Sequence, residues 1–126
     1  MSNKKVSILV VEDDQFLAEM YSTKLGLEGF DVMMASDGQQ ALDTLAKNQP
    51  DLVILDLMLP KVDGFAVLEA MHADTALARI PVIVLSNLGE KESVDRALSL
   101  GANAYLIKAH FLPTEVVTKI RKTLGI

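Results

Sequence analysis

A chain of 126 residues, half of them hydrophobic and 23% charged, has the size and composition of one globular domain with a single core. A formal net charge of −5 leaves it without the basic footprint of a nucleic-acid binder; the absence of cysteine excludes disulfides, thiolate metal centres and a cysteine nucleophile, and suits the cytoplasm. No apolar run reaches the length of a membrane span, and Lys4-Lys5 with Val6 to Val11 is no signal peptide, because Glu12-Asp13-Asp14 follows at once.

Val6 to Val11 is nearly all apolar and rich in β-branched residues, which predicts a strand. The acids after it suit the first turn of a helix carrying Phe16, Leu17, Met20, Tyr21 and Leu25, ending near Gly29. Val32 to Ala35 reads as a short second strand, and Ser36-Asp37-Gly38 as a turn or N-cap before a helix with Ala41, Leu42, Leu45 and Ala46 on one face. Asn48 to Asp51 is a turn. Leu52-Val53-Ile54-Leu55 is a continuous apolar run of the kind that forms a strand buried on both faces, and it ends on Asp56.

Pro60 and Gly64 break the chain, and Gly64 opens a third helix with Phe65, Leu68 and Met71 inward. Val82 to Ser86 is the fourth strand. The polar loop Asn87 to Glu90 leads to a helix with Val94, Ala97 and Leu98 buried and a stop at Gly101. Ala104 to Ile107 is the fifth strand, ended by Lys108. Pro113 starts a last helix with Val116, Val117, Ile120 and Leu124 at helical spacing. This alternation predicts an α/β fold: a five-stranded parallel sheet flanked by five helices, forming one domain over residues 1–126 with no output domain.

In a parallel sheet the carboxyl ends of the strands share one edge. With the doubly wound order 2-1-3-4-5, Glu12, Asp13 and Asp14 face Asp56 across the switch point, with Ser86 and Lys108 beside them. Two like charges ~4 Å apart repel by about 4 kcal/mol at an effective dielectric near 20, so such a cluster raises its pKa values or takes up a cation. Hard oxygen donors suit Mg²⁺, and Mg²⁺ expects a phosphoryl partner. Asp56 is then a candidate nucleophile, and Lys108 and Ser86 are candidates to bind the phosphoryl oxygens.

These residues carry a resemblance. The acid pair Glu12-Asp13 after the first strand, Asp56 before Leu-Met-Leu-Pro-x-x-Asp-Gly, Ser86 after the fourth strand and Lys108 after the fifth resemble the receiver domain of two-component response regulators, over essentially the whole chain. The resemblance implies a phospho-acceptor switch, in which a histidine kinase or histidine phosphotransfer protein donates a phosphoryl group to Asp56. It implies Mg²⁺ held by Asp13, Asp56 and the backbone carbonyl of Met58, with Glu12 reaching it through water. It assigns Lys108 and Ser86 to the phosphoryl oxygens and Tyr105 to a rotation that follows Ser86. That rotation would change the face of the fourth helix, fifth strand and fifth helix for an unknown output protein. Slow autodephosphorylation by water is implied as well.

The chain departs from that family in having Lys108-Ala109 where Lys-Pro, often with a cis bond, is usual, and in a connection to Pro113 about one residue longer. A cis bond before alanine would cost about 3–4 kcal/mol, so a trans bond is expected. The departure keeps one alternative open, a degenerate receiver that acts as a phosphorylation-independent interaction module. Two other classes fail on residues. An aspartyl-phosphate hydrolase of the haloacid-dehalogenase type needs a second Asp where Met58 stands, and a flavodoxin-like mononucleotide binder would find its phosphate repelled by Glu12-Asp13-Asp14. Asp14 reads as a helix-start residue, and His72 and His110 as surface side chains. Met58 and Leu88 flank the place where water would attack, either as tuning residues or as ordinary loop side chains.

Overall fold

Strand and helix alternate through the chain because short β-branched runs alternate with segments of helical periodicity. The structure, a computed structural model describing residues 5–126, shows the elements this pattern produces. They are β1 (Ser7–Val11), α1 (Gln15–Leu27), β2 (Asp31–Ala35), α2 (Gly38–Lys47), β3 (Leu52–Leu55), α3 (Gly64–Ala73), β4 (Val82–Ser86), α4 (Lys91–Ser99), β5 (Ala104–Ile107) and α5 (Pro113–Leu124). Lys4 of the N-terminal pair lies outside the described residues. The sheet is all parallel with strand order β2-β1-β3-β4-β5, as the sequence predicts.

Successive side chains of a strand point to opposite faces, so each central strand feeds two cores. Leu9, Val11, Val53, Leu55, Val82 and Val84 meet Ala41 and Leu45 of α2, Val67, Leu68 and Met71 of α3, and Ala97 of α4. The alternate residues Ile8, Val10, Leu52, Ile54, Ile83 and Leu85 meet Tyr21 and Leu25 of α1 and Val116, Val117 and Ile120 of α5. Every residue of β3 and β4 is buried, which is why both read as unbroken apolar runs.

Several helix positions differ from the expectation. Phe16 is 77% and Leu98 44% exposed, Ala46 is exposed, and Val94 and Phe65 are only half-buried. The nine-residue α4 turns only Ala97 fully onto the core, so its periodicity overstated the buried stripe. Phe65 instead lies under the guanidinium of Arg96, 4.2 Å from its ring centre, and joins α3 to α4 at the surface. Two 3-10 turns, Leu77–Arg79 and Lys108–His110, also went unread in the sequence.

The second of these turns begins the connection between β5 and α5. No peptide bond among the described residues is cis, so Lys108-Ala109 is trans, as the sequence leads one to expect.

The β3–α3 loop contains Lys61 at φ +66°, the left-handed region that disfavours a side chain. Its ammonium lies 3.7 Å from Asp37, but the lysine side chain is 70% exposed and the pair contributes little. Lys61→Gly is therefore expected to raise stability by up to about 1 kcal/mol, the relief of strain exceeding the entropy cost of glycine. Urea unfolding of the two proteins would check this; a loss of stability would mean that Lys61 contributes through its side chain.

Candidate functional site

Parallel pairing fixes which residues meet at the sheet's carboxyl edge. Val11 is level with Leu55 and with Ala35, and the ladder runs one step further, Glu12 N–H donating to the Ala35 carbonyl (3.0 Å) and Asp56 N–H to the Val11 carbonyl (3.1 Å). The first residues beyond β1 and β3 are thus held side by side as backbone. Both are acids, and both are buried, Glu12 4% and Asp56 5% exposed. Asp13 is exposed beside them. Carboxylate oxygens of Glu12, Asp13 and Asp56 all lie within 4.8 Å of one another.

Lys108 reaches into this cluster from the end of β5. Its ammonium, on a side chain 10% exposed, donates to Asp56 Oδ2 at 2.8 Å and to Glu12 Oε1. Backbone amides serve the other carboxylate oxygens: Met58 N–H donates to Asp56 Oδ1 (3.2 Å) and Asp14 N–H to Glu12 Oε2 (3.0 Å). The Asp14 carboxylate accepts from Leu17 N–H at 3.1 Å, so it caps α1, which agrees with its reading as a helix-start residue.

Burial pushes the Glu12 carboxyl above its ordinary value, against the opposing hydrogen bonds from Lys108 and the Asp14 amide. Burial would lower Lys108, but its hydrogen bonds to Asp56 and Glu12 outweigh that and hold the ammonium more firmly protonated than usual. One ammonium against three carboxylates leaves the cluster short of positive charge. A groove of about 340 Å³, lined in part by Glu12, Asp13, Gln15, Ser36 and Gln40, opens beside it.

The donor set fits a hard divalent cation. Oxygens from three acids converge, and an Asp13 carboxylate exposed beside two buried ones leaves the cluster open to a cation from solvent. Each carboxylate oxygen of Glu12 and Asp56 already accepts one hydrogen bond and has a second lone pair for a metal or its water, and Met58 presents its amide to Asp56 while its side chain is 59% exposed.

Ser86 and Tyr105 form a second group. Ser86 is completely buried at the end of β4, and its Oγ accepts from Leu88 N–H at 3.3 Å. The Tyr105 hydroxyl donates to the carbonyl of the same Leu88 at 2.5 Å. Burial pushes this phenol above its ordinary pKa, so it stays a donor at neutral pH. Both side chains therefore hold one residue of the β4–α4 loop, and Ser86 makes no hydrogen bond to Asp56. Leu88 as their shared anchor was not legible in the sequence, because its contribution is backbone and its identity carries no signal. Gly64, which by sequence shapes the Asp56 loop and opens α3, donates its N–H to the Leu57 carbonyl (2.9 Å), and a Cβ there would lie 2.3 Å from the Asp56 carbonyl oxygen. His72 and His110 are exposed and apart from the cluster.

Comparison with known proteins gives a consistent result. The family model described as "Response regulator receiver domain" matches residues 8–121. The DNA-binding response regulator MtrA of Mycolicibacterium smegmatis is 40% identical over 124 residues, covering 98% of this chain and 53% of that protein. The receiver domain of the Francisella response regulator 1452 superposes with a TM-score of 0.88 at 30% identity, covering 96% of this chain and 98% of that one. The DrrB receiver domain, solved in a BeF3-activated form, gives a TM-score of 0.85 at 27% identity over 98% of this chain and 100% of that one. The chain spans about half the length of the curated relatives it matches, 49% of the first and 53% of MtrA.

Proposed function

Because this chain belongs to the response regulator receiver domain family, a family of two-component signalling, we propose that it is a phospho-acceptor switch whose acceptor is Asp56. One observation carries the reading: a buried carboxylate at the end of the central strand shares an ammonium with Glu12 and lies within 4.8 Å of Glu12 and Asp13. Glu12, Asp13, Asp56 and the Met58 carbonyl would hold Mg²⁺, which when bound supplies neutralising charge to the transferring phosphoryl oxygens.

The donor is a phosphohistidine of a histidine kinase or histidine phosphotransfer protein. An Asp56 carboxylate oxygen attacks phosphorus, an O–P bond forms, and the P–N bond breaks with its electron pair left on the imidazole nitrogen. Lys108, already on Asp56 Oδ2, follows the new charge onto the phosphoryl oxygens. Water later attacks the same phosphorus, releasing inorganic phosphate and restoring the carboxylate.

Phosphorylation raises the local charge to roughly −1.5 to −2 and adds acceptor oxygens. Ser86 Oγ then has a new acceptor to reach for. In moving it would release Leu88 N–H, whose carbonyl is the partner of Tyr105. The conformational change would pass through Leu88 to the α4–β5–α5 face, where Leu98 is already exposed and where the output partner docks. The setting is the cytoplasm; among the described residues no helix is long and apolar enough to cross a membrane. This domain by itself contacts no nucleic acid, in keeping with its net charge of −5.

Titration with Mg²⁺ and then beryllofluoride, recorded through amide chemical shifts, tests the reading. Mg²⁺ should shift residues around Asp13 and Asp56. Beryllofluoride should then shift Ser86, Leu88, Tyr105 and α4 in the parent and leave Asp56→Asn unchanged. Mg²⁺ binding with no response to beryllofluoride would return the phosphorylation-independent alternative, and no binding of either would remove the site altogether.

A further inference from the structure

Helix α2 contributes no side chain to the acid cluster, yet its first residues grip the loop that carries half of it. Asp37, 5% exposed, caps the helix by accepting from Gln40 N–H at 2.8 Å. Gly38, the first helical residue, directs its N–H at the Pro60 carbonyl, 3.5 Å away. A Cβ on Gly38 would fall 1.7 Å from the Val62 carbonyl oxygen and 2.5 Å from its carbon, so the two backbones touch where no side chain fits. Between them Lys61 is bent into the left-handed region with its ammonium 3.7 Å from Asp37. At its other end the same loop is held by Gly64 against Asp56 and Leu57. Met58 lies in the span between the two grips.

We infer that Asp37 and Gly38 are positioning residues for the cation site: the start of α2 clamps Pro60 to Val62 and thereby fixes the Met58 peptide relative to Asp56. This rests on the reading of the site as an Mg²⁺-dependent phospho-acceptor, and it gives α2 a function that reading does not contain. Without the clamp the loop keeps its chemical groups and loses their placement. Mg²⁺ demands near-ideal octahedral geometry, whereas Ca²⁺ accepts irregular oxygen cages, so a misplaced carbonyl harms the first far more than the second.

The test uses the whole chain, with Mg²⁺ and Ca²⁺ affinities read from amide shifts at Asp13 and Asp56 and stability read from urea unfolding without metal. Gly38→Ala, folded, should bind Mg²⁺ about tenfold more weakly, the loss typical when a support behind a metal ligand is removed. Its Ca²⁺ affinity should fall by less than about threefold. Unchanged Mg²⁺ affinity, or equal weakening of both cations, would overturn the positioning role, since general loosening does not discriminate between them. If Gly38→Ala fails to fold, Asp37→Ala decides: it removes the acceptor for Gln40 N–H that fixes the start of α2 against Pro60 and Val62. The Mg²⁺-to-Ca²⁺ affinity ratio should then fall about threefold; an unchanged ratio overturns the inference. Failure of the parent to bind Mg²⁺ is a different result, which removes the phospho-acceptor reading and the clamp's role with it.

Discussion

Lys108→Met is expected to tighten Mg²⁺ binding and yet nearly abolish phosphoryl acceptance. The ammonium competes with a cation for Glu12 and Asp56, so its removal should strengthen Mg²⁺ by about fivefold, or about 1 kcal/mol at the screened dielectric of a half-open site. The same change takes away the donor aimed at Asp56 Oδ2, and loss of one such pre-placed donor costs about a hundredfold or more in rate. A titration with Mg²⁺ and a phosphorylation time course with a small acyl phosphate would read the two effects separately. Parallel losses in both would show that Lys108 holds the site's shape rather than serving the phosphoryl group.

Stability should also become more pH-dependent in that variant. Burial already holds Glu12 above its ordinary 4.5, and without the Lys108 hydrogen bond it must rise further. A carboxyl whose folded pKa exceeds its unfolded one contributes stability that is present below the unfolded value and is lost as pH rises through the folded value. As pH rises above the ordinary carboxylate value the variant should therefore lose stability faster than the parent, reaching a deficit of about 3 kcal/mol for a buried charge left unpaired. In the parent Lys108 stays charged throughout that rise, because its hydrogen bonds to Asp56 and Glu12 outweigh burial and its charge is lost only above the ordinary lysine value of 10.5. Equal pH slopes for the two proteins would contradict this account of Glu12.

Gly64→Ala should be the most damaging single methyl in the chain outside α2. Alanine is the better helix former by about 1 kcal/mol, so propensity alone predicts a gain. Packing predicts the reverse, because the added carbon would stand 2.3 Å from the Asp56 carbonyl oxygen and 2.5 Å from Leu57 Cα. Both are backbone atoms and cannot swing aside as a side chain would. A net loss of about 3 kcal/mol is expected from such overpacking, together with weaker Mg²⁺ binding, since the displaced peptide belongs to Asp56 itself. A urea midpoint equal to the parent's would show that α3 slides away at little cost.

Much of this was readable without coordinates. The apolar runs Leu52 to Leu55 and Val82 to Ser86 named the central strands, since only a strand covered on both faces tolerates such a run. Once the strands are parallel, the residues after them share an edge, which brought Glu12, Asp13, Asp56 and Lys108 together and put Ser86 at the end of β4 on the same edge. Helix faces were less legible. Phe16 and Leu98 obey the periodicity and still lie exposed, because what a helix buries depends on how it is rotated against its neighbours.

The alternation of strand and helix, and the acids, serine and lysine at the strand ends, follow from local periodicity and residue type, which need no knowledge of distance. How those groups are connected is set by the folded arrangement. It joined Lys108 to both Glu12 and Asp56, tied Ser86 and Tyr105 to the backbone of Leu88, and set Gly38 and Gly64 against the backbone of the Asp56 loop. These contacts join residues far apart in the chain and several run through backbone atoms, which every residue carries alike. Packing of one element on another is what selects among them.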